Sequence, residues 1–253
     1  MKTTKLLSLS ILAVALSGCV INVQAQRANV SLEEVLSLDA SSLSSFDIEA
    51  GAGSLTIKGV DNANKIEVEA DIITTKDKDY VLYLKRSGKE AKLVAKHNSH
   101  SGYWKGSSPQ INLTITMPKN LMLDIDDGSG DIQINDINNA INLDDGSGSA
   151  SLEDIKGDLY VEDGSGSLVI KNIEGDIKLD DGSGELSVSK VTGNVDIEDG
   201  SGQLSVYDVS GKVTIDDGSG GIDVTRAGSL EIIDSGSGGL SISKIKGKVD
   251  IDS

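Results

Sequence analysis

The chain has 253 residues, with 40 acidic side chains against 23 basic ones, 29 Gly, 2 Pro, one Cys, one Trp, one Phe and five Tyr. A single cysteine excludes a disulfide scaffold, and so few aromatic residues exclude an ordinary aromatic-rich globular core. The net charge of −17 argues against nucleic acid as a partner, because phosphate binding rests on clustered Lys and Arg; cations, basic proteins and uncharged surfaces remain.

At the start of the chain, Lys2 and Lys5 precede an apolar run from Leu6 to Leu16, and Ser17-Gly18-Cys19 follow. The run is shorter than the roughly 20 apolar residues that a membrane-spanning helix needs. It resembles a bacterial lipoprotein signal, with residues 1–18 removed and Cys19 carrying the acyl chains. At ~0.8 kcal/mol per buried CH₂, such chains exceed what stable anchoring to a membrane requires. A plain secretory signal cleaved after Ala25 also fits Val23-Gln24-Ala25, but the only cysteine of the chain stands at the lipidation position and has no partner to bridge. Val20 follows it where inner-membrane retention is associated with aspartate, so the resemblance implies an outer-membrane lipoprotein. Residues 19–42 read as the lipidated N-terminus and a tether, with Ser31 to Leu38 open to a short helix or strand.

In residues 43–120, the stretch from Ile48 to Glu69 reads as a diverged first coil, since Gly51-Ala52-Gly53-Ser54-Leu55-Thr56-Ile57 aligns with Gly164 to Ile170. Alternating apolar residues predict further strands over Ile66 to Ile73, Tyr80 to Arg86, Ala91 to His97 and Ile111 to Met117. These lack the fixed period and read as an irregular N-terminal β region joined to a regular part after Pro118.

Residues 121–253 carry the main signal, and 28 acidic against 9 basic residues, whereas residues 19–120 are balanced. Asp-Gly-Ser-Gly begins at Asp127, Asp145, Asp163, Asp181, Asp199 and Asp217, always 18 residues apart, and Ser235-Gly236-Ser237-Gly238 is a seventh variant. Counting from that Asp, the sixth, eighth, eleventh, fifteenth and seventeenth places are aliphatic, as in Leu168, Ile170, Ile173, Ile177 and Leu179. Pairs two apart are strands. Glycines at the corners supply positive φ and close approach. A lone unit cannot bury its apolar pairs, but stacked units place each aliphatic over its equivalent, which predicts an all-β, single-chain parallel β-solenoid with 18-residue coils. Coils ~4.8 Å apart would form a rod on the order of 40 Å long, with right-handed crossovers favoured on general grounds. A left-handed hexapeptide helix would need one aliphatic every six residues, and the uneven spacing here excludes it. In the seventh unit Gly228-Ser229-Leu230 comes one residue early and the register returns at Ile232-Ile233, which predicts a β-bulge.

The Gly-x-Gly-Ser-Leu-x-Ile opening, the strand ending in Met117-Pro118 and the Asp-Gly-Ser-Gly coils together resemble the bacterial putative-adhesin β-strand-repeat family, a DUF4097-like domain of unknown function, over about residues 43 to 253. The resemblance implies a cell-envelope protein and no known catalytic residues.

Chemistry can sit in two places. The aspartates Asp127, Asp145, Asp163, Asp181, Asp199 and Asp217 form one file, and Asp126, Asp144, Glu162, Asp180, Glu198, Asp216 and Asp234 form another. The first file reads either as Asx-turns, each carboxylate accepting the backbone N–H groups two and three residues on, or as oxygen ligands for Ca²⁺; no other cofactor is expected. The second file points to solvent. The segment from His97 to Pro109 holds both histidines and the sole tryptophan, and His97, His100, Tyr103 and Trp104 form a candidate loop for contact with a glycan or protein surface. It reads equally as a solvated loop whose Trp104 packs over the N-terminal end of the solenoid, and two histidines three apart are a weak metal site. No Ser or Cys has a histidine base, since both histidines share one loop, so no enzyme is expected. Function then divides between a non-catalytic, lipid-anchored adhesin or envelope-interaction module and a structural or envelope-stress scaffold that self-associates through its terminal coil at Val249 to Asp252.

Overall fold

The computed structural model describes residues 27–98 and 104–252, and the assignments at residues 1–26, 99–103 and 253, including Cys19, His100 and Tyr103, lie outside the described residues. The described chain is all-β. Seven strands, β1 (Val30–Asp39), β2 (Ser45–Ala52), β3 (Leu55–Val60), β4 (Lys65–Thr74), β5 (Tyr80–Ser87), β6 (Glu90–His97) and β7 (Gln110–Pro118), build the N-terminal region. The regular part follows with β8 (Met122–Ser129), β9 (Ile132–Ile137), β10 (Ile141–Asp145), β11 (Gly148–Ile155), β12 (Leu159–Asp163), β13 (Gly166–Ile173), β14 (Ile177–Asp181), β15 (Gly184–Val191) and β16 (Val195–Asp199). Two long strands that serve both sides of a coil, β17 (Gly202–Asp217) and β18 (Gly220–Asp234), precede β19 (Leu240–Ser243) and β20 (Val249–Ile251).

These strands form two parallel ladders. Strands β8, β10, β12, β14, β16 and the second halves of β17 and β18 stack on one side, ending in β20. Strands β9, β11, β13, β15 and the first halves of β17 and β18 stack on the other, ending in β19. The partner of each residue lies one 18-residue unit away, as in Ile134↔Leu152↔Ile170. All three are fully buried, so the aliphatic columns exist and the chain is a parallel β-solenoid. The interior of the regular coils is filled mainly by Ile, Leu and Val, with Ala150 and Ala227. The single Phe, Phe46, is fully buried in the first coil, in the same inward column as Leu123 of β8, and Met117 is fully buried in β7.

Each coil turns at two kinds of position that recur from coil to coil. The fourth residue, as in Gly148 and Gly166, takes φ near +143 and +148. The tenth residue, as in Asp136, Asp154, Asn172, Lys190, Asp208, Arg226 and Lys244, is left-handed with φ between 57 and 64. That corner answers the three-residue step between the eighth and eleventh places: alternation would turn the eleventh side chain outward, and one left-handed residue returns it to the core. The expected bulge is present, with Ile215↔Ile232 followed by Asp216↔Asp234 and Ile233 turned out to solvent.

The N-terminal region orders its coils differently from the chain. The first coil, β2 with β3, lies in register as expected, with Leu55↔Ile132 and Ile57↔Ile134. It is not the end of the stack, however: β6 and β7 pair on its outer side and β8 and β9 on its inner side. After β3 the chain leaves the solenoid through β4, which runs antiparallel to β7, returns through the β5–β6 hairpin, and lays down β6 and β7 before passing over the first coil to β8. The four strands predicted between residues 66 and 117 match β4 to β7. The tether reading of residues 19–42 is corrected over part of its length. Val30–Asp39 is strand β1, antiparallel to β4 from Val30↔Thr74 to Asp39↔Lys65, because Leu32, Leu36 and Leu38 pack against the core.

β1 and β5 close this end. Tyr80 Oη donates to Glu34 Oε1 at 2.5 Å, and Arg86 Nη2 donates to the carbonyls of Asp39 at 2.6 Å and Ser41 at 3.0 Å.

Candidate functional site

The Asp-Gly-Ser-Gly aspartates continue the inward alternation of the fifteenth and seventeenth places, so their carboxyls enter the core. Asp127, Asp145, Asp163, Asp181, Asp199 and Asp217 are each at most 4% exposed and stand in one parallel register. Five accept a hydrogen bond at Oδ1 from the serine N–H two residues on, at 3.0–3.1 Å, from Asp145 and Ser147 to Asp217 and Ser219. The second bond expected of this turn is absent. The glycine three residues on turns its N–H along the stack instead, as in Gly148 N to Ser165 O at 3.0 Å.

The other oxygen, Oδ2, has no hydrogen-bond partner in any of the six and is shut off from solvent. Burial, reinforced by the neighbouring carboxylates Asp145 and Asp126 and opposed by Lys96, pushes the Asp127 carboxyl up to about 7. Burial with the Asp163 charge raises Asp145 to about 6. Burial with adjacent carboxylates likewise raises Asp181 and Asp199 to about 6, and burial raises Asp163 and Asp217. Among the described residues, no group of three or more His, Cys, Asp or Glu side chains comes together as a metal centre. The neighbouring file, Asp126 to Asp234, faces solvent as expected.

At the closed end, His97 terminates β6 and packs its ring against Tyr80 with centroids 6.0 Å apart. His97, Asn98 and the half-buried Trp104 line a cleft of about 200 Å³ with Ala52, Thr74, Thr75, Asp79, Ser108 and Pro109. Thr74, the last residue of β4, is 1% exposed, and its hydroxyl has no hydrogen-bond partner. His97 and Trp104 are thus brought together, and the segment between them that contains His100 and Tyr103 is not described. Thr74 and Asp79 had no signal in the sequence, since only the antiparallel return of β4 carries them to this loop. The inward aspartates did have one: they lie two residues beyond an inward aliphatic place.

The fold defines a repeat protein of the solenoid class, with a buried acid ladder along its length and an aromatic-edged cleft at one end. The chain belongs to the Toastrack DUF4097 family, whose model matches residues 45–251. Among solved structures it is similar to a "putative cell adhesion protein" from Clostridium sporogenes, at 14% identity and a TM-score of 0.33 over 87% of this chain and 100% of that one. It is also similar to a "putative adhesin" from Bacteroides fragilis, at 13% identity and a TM-score of 0.37 over 89% and 99% of the two chains. A "putative adhesin" from Parabacteroides distasonis matches at 11% identity and a TM-score of 0.39 over 90% and 100%. No curated protein matches the chain.

Proposed function

We propose that the protein is a non-catalytic, lipid-anchored module of the cell envelope, held to the outer membrane through Cys19, that contacts surface glycan through the cleft beside Trp104. The observation that carries this reading is the combination of a half-buried indole at the cleft with a buried, unpartnered hydroxyl on Thr74 inside it. Pockets for small groups join an apolar or aromatic wall to a few placed polar groups. An indole face stacks on a sugar ring while hydroxyl, amide and carboxylate groups meet its hydroxyls. The expected result is that Trp104→Ala and Thr74→Val each weaken binding to purified envelope glycans by about tenfold, a loss of ~1.4 kcal/mol, with circular dichroism unchanged. Glycan binding indifferent to both changes would overturn the reading, and capture of an envelope protein that depends on Trp104 would replace glycan with a protein partner. The anchor is tested by Cys19→Ser, which is expected to move the protein from the membrane to the soluble fraction.

A further inference from the structure

The two ends of the solenoid differ. At one end β1 and β5 are linked over the core by Tyr80, Glu34 and Arg86. At the other, β19 and β20 pair with β18 on one edge only among the described residues, so a row of backbone N–H and C=O groups is open. Among the described residues the core is uncovered there as well. Leu240, Val249 and Ile251 occupy the inward columns beneath Ile222, Leu230 and Ile232. They are 40%, 43% and 42% exposed, whereas the three above them are at most 2% exposed. The last described coil repeats the aliphatic pattern of the interior.

The sequence at this edge is electrostatically self-complementary. Lys246-Gly247-Lys248-Val249-Asp250-Ile251-Asp252 is basic before Val249 and acidic after it. Pairing two copies antiparallel about Val249 sets Lys248 against Asp250 and Lys246 against Asp252, twice each, with Val249 against Val249. Opposite charges placed directly across an antiparallel pair stabilise it, and like charges oppose it. Parallel pairing of the same segments would set like against like. We propose that β20 pairs with β20 of a second copy across a two-fold axis, joining two solenoids tip to tip and closing each core with the other. A two-fold contact is closed, so the charge pattern permits a dimer and blocks open-ended stacking. β1 lies at the closed end, so the pair places its two N-terminal segments at opposite ends of the double rod. With the anchor proposed above, such a dimer bridges two opposed membrane surfaces. The pairing itself does not rest on the glycan reading.

The test uses full-length chains with two distinguishable tags, co-expressed, extracted in detergent and captured through one tag. Unaltered chains are expected to capture each other. An acidic variant, Lys246→Asp with Lys248→Asp, and a basic variant, Asp250→Lys with Asp252→Lys, are each expected to lose at least about tenfold of self-capture. Co-expressed with each other they are expected to recover it, because every facing pair is then opposite in charge, and recovery also shows that both variants fold. Failure of unaltered chains to capture each other, or a mixed pair no better than either variant with itself, would overturn the proposal.

Discussion

Asp145 and Asp163 occupy the same place in successive coils, side by side in parallel register, and both carboxyls are buried with one oxygen bound by a serine N–H and the other without a partner. Strands in register lie ~4.8 Å apart, and two negative charges at that distance in a poorly solvated core repel far more than they do in water. Burial and the neighbouring charges therefore favour the protonated form of these carboxyls.

Stability should therefore fall as pH rises. Burial raises these carboxyls from the usual carboxylate range to about 6 at Asp145, Asp181 and Asp199 and about 7 at Asp127. Between the unfolded and folded values the native state binds more protons than the unfolded chain, so the unfolding free energy decreases with pH. The stabilisation is fully present below about pH 4 and is lost as pH rises through 6 to 7. Thermal unfolding is expected at a higher temperature at pH 5 than at pH 8, and equal or reversed values would refute the protonated ladder.

Replacing one rung tests the same point locally. Asp181→Asn keeps an oxygen to accept the Ser183 N–H, which bonds Asp181 Oδ1 at 3.1 Å, and adds N–H donors for the adjacent carboxyls. It removes a charge whose burial is unfavourable at high pH. Denaturant unfolding is expected to show a gain of about 2 kcal/mol at pH 8, about half as much at pH 5 and almost none at pH 3. A loss at both values would mean that the charged carboxylate is itself needed.

Calcium should have little effect. Ca²⁺ takes six to eight oxygen ligands, whereas each rung from Asp145 onward offers one unpartnered oxygen and the ladder is closed to solvent. Millimolar Ca²⁺ or a chelator is expected to move the melting temperature by less than about 1 °C, since a ligand stabilises only as far as it binds the native state. A rise of several degrees that disappears with Asp163→Asn would restore the cation reading.

The regular coils were legible in the sequence because spacing and burial are the same information there: places two apart, such as Leu168 and Ile170, face one way, and the period sets their neighbours. The bulge at Ile233 was legible for the same reason. The tenth-place corner was less so, since Asp154, Asn172, Lys190 and Arg226 share a backbone angle but no side-chain chemistry. The N-terminal region resisted in another way. Its strands could be read one at a time, but the insertion of β2 and β3 between β6–β7 and β8–β9 follows from long-range pairing that no local pattern records. The cleft depends on that insertion, so Thr74 could not be placed beside Trp104 from the sequence.

The second glycine of each Asp-Gly-Ser-Gly turn sets the closest approach between coils, and Gly166 tests it. Its φ is +148, and a Cβ there would lie 1.5 Å from the carbonyl oxygen of Gly148 in the coil above. Neither atom can yield without breaking the ladder, because Gly166 N donates to Ser183 O at 3.0 Å in the coil below. Gly88 in the β5–β6 turn has φ +63 with nothing within 4 Å of the same position. Gly88→Ala should cost only the left-handed strain of about 1 kcal/mol. Gly166→Ala adds a backbone collision and is expected to cost more than about 4 kcal/mol, measured by denaturant unfolding, or to prevent folding of the central coils. Equal effects of the two changes would mean that conformational freedom alone, and not the contact between coils, selects glycine in the repeat.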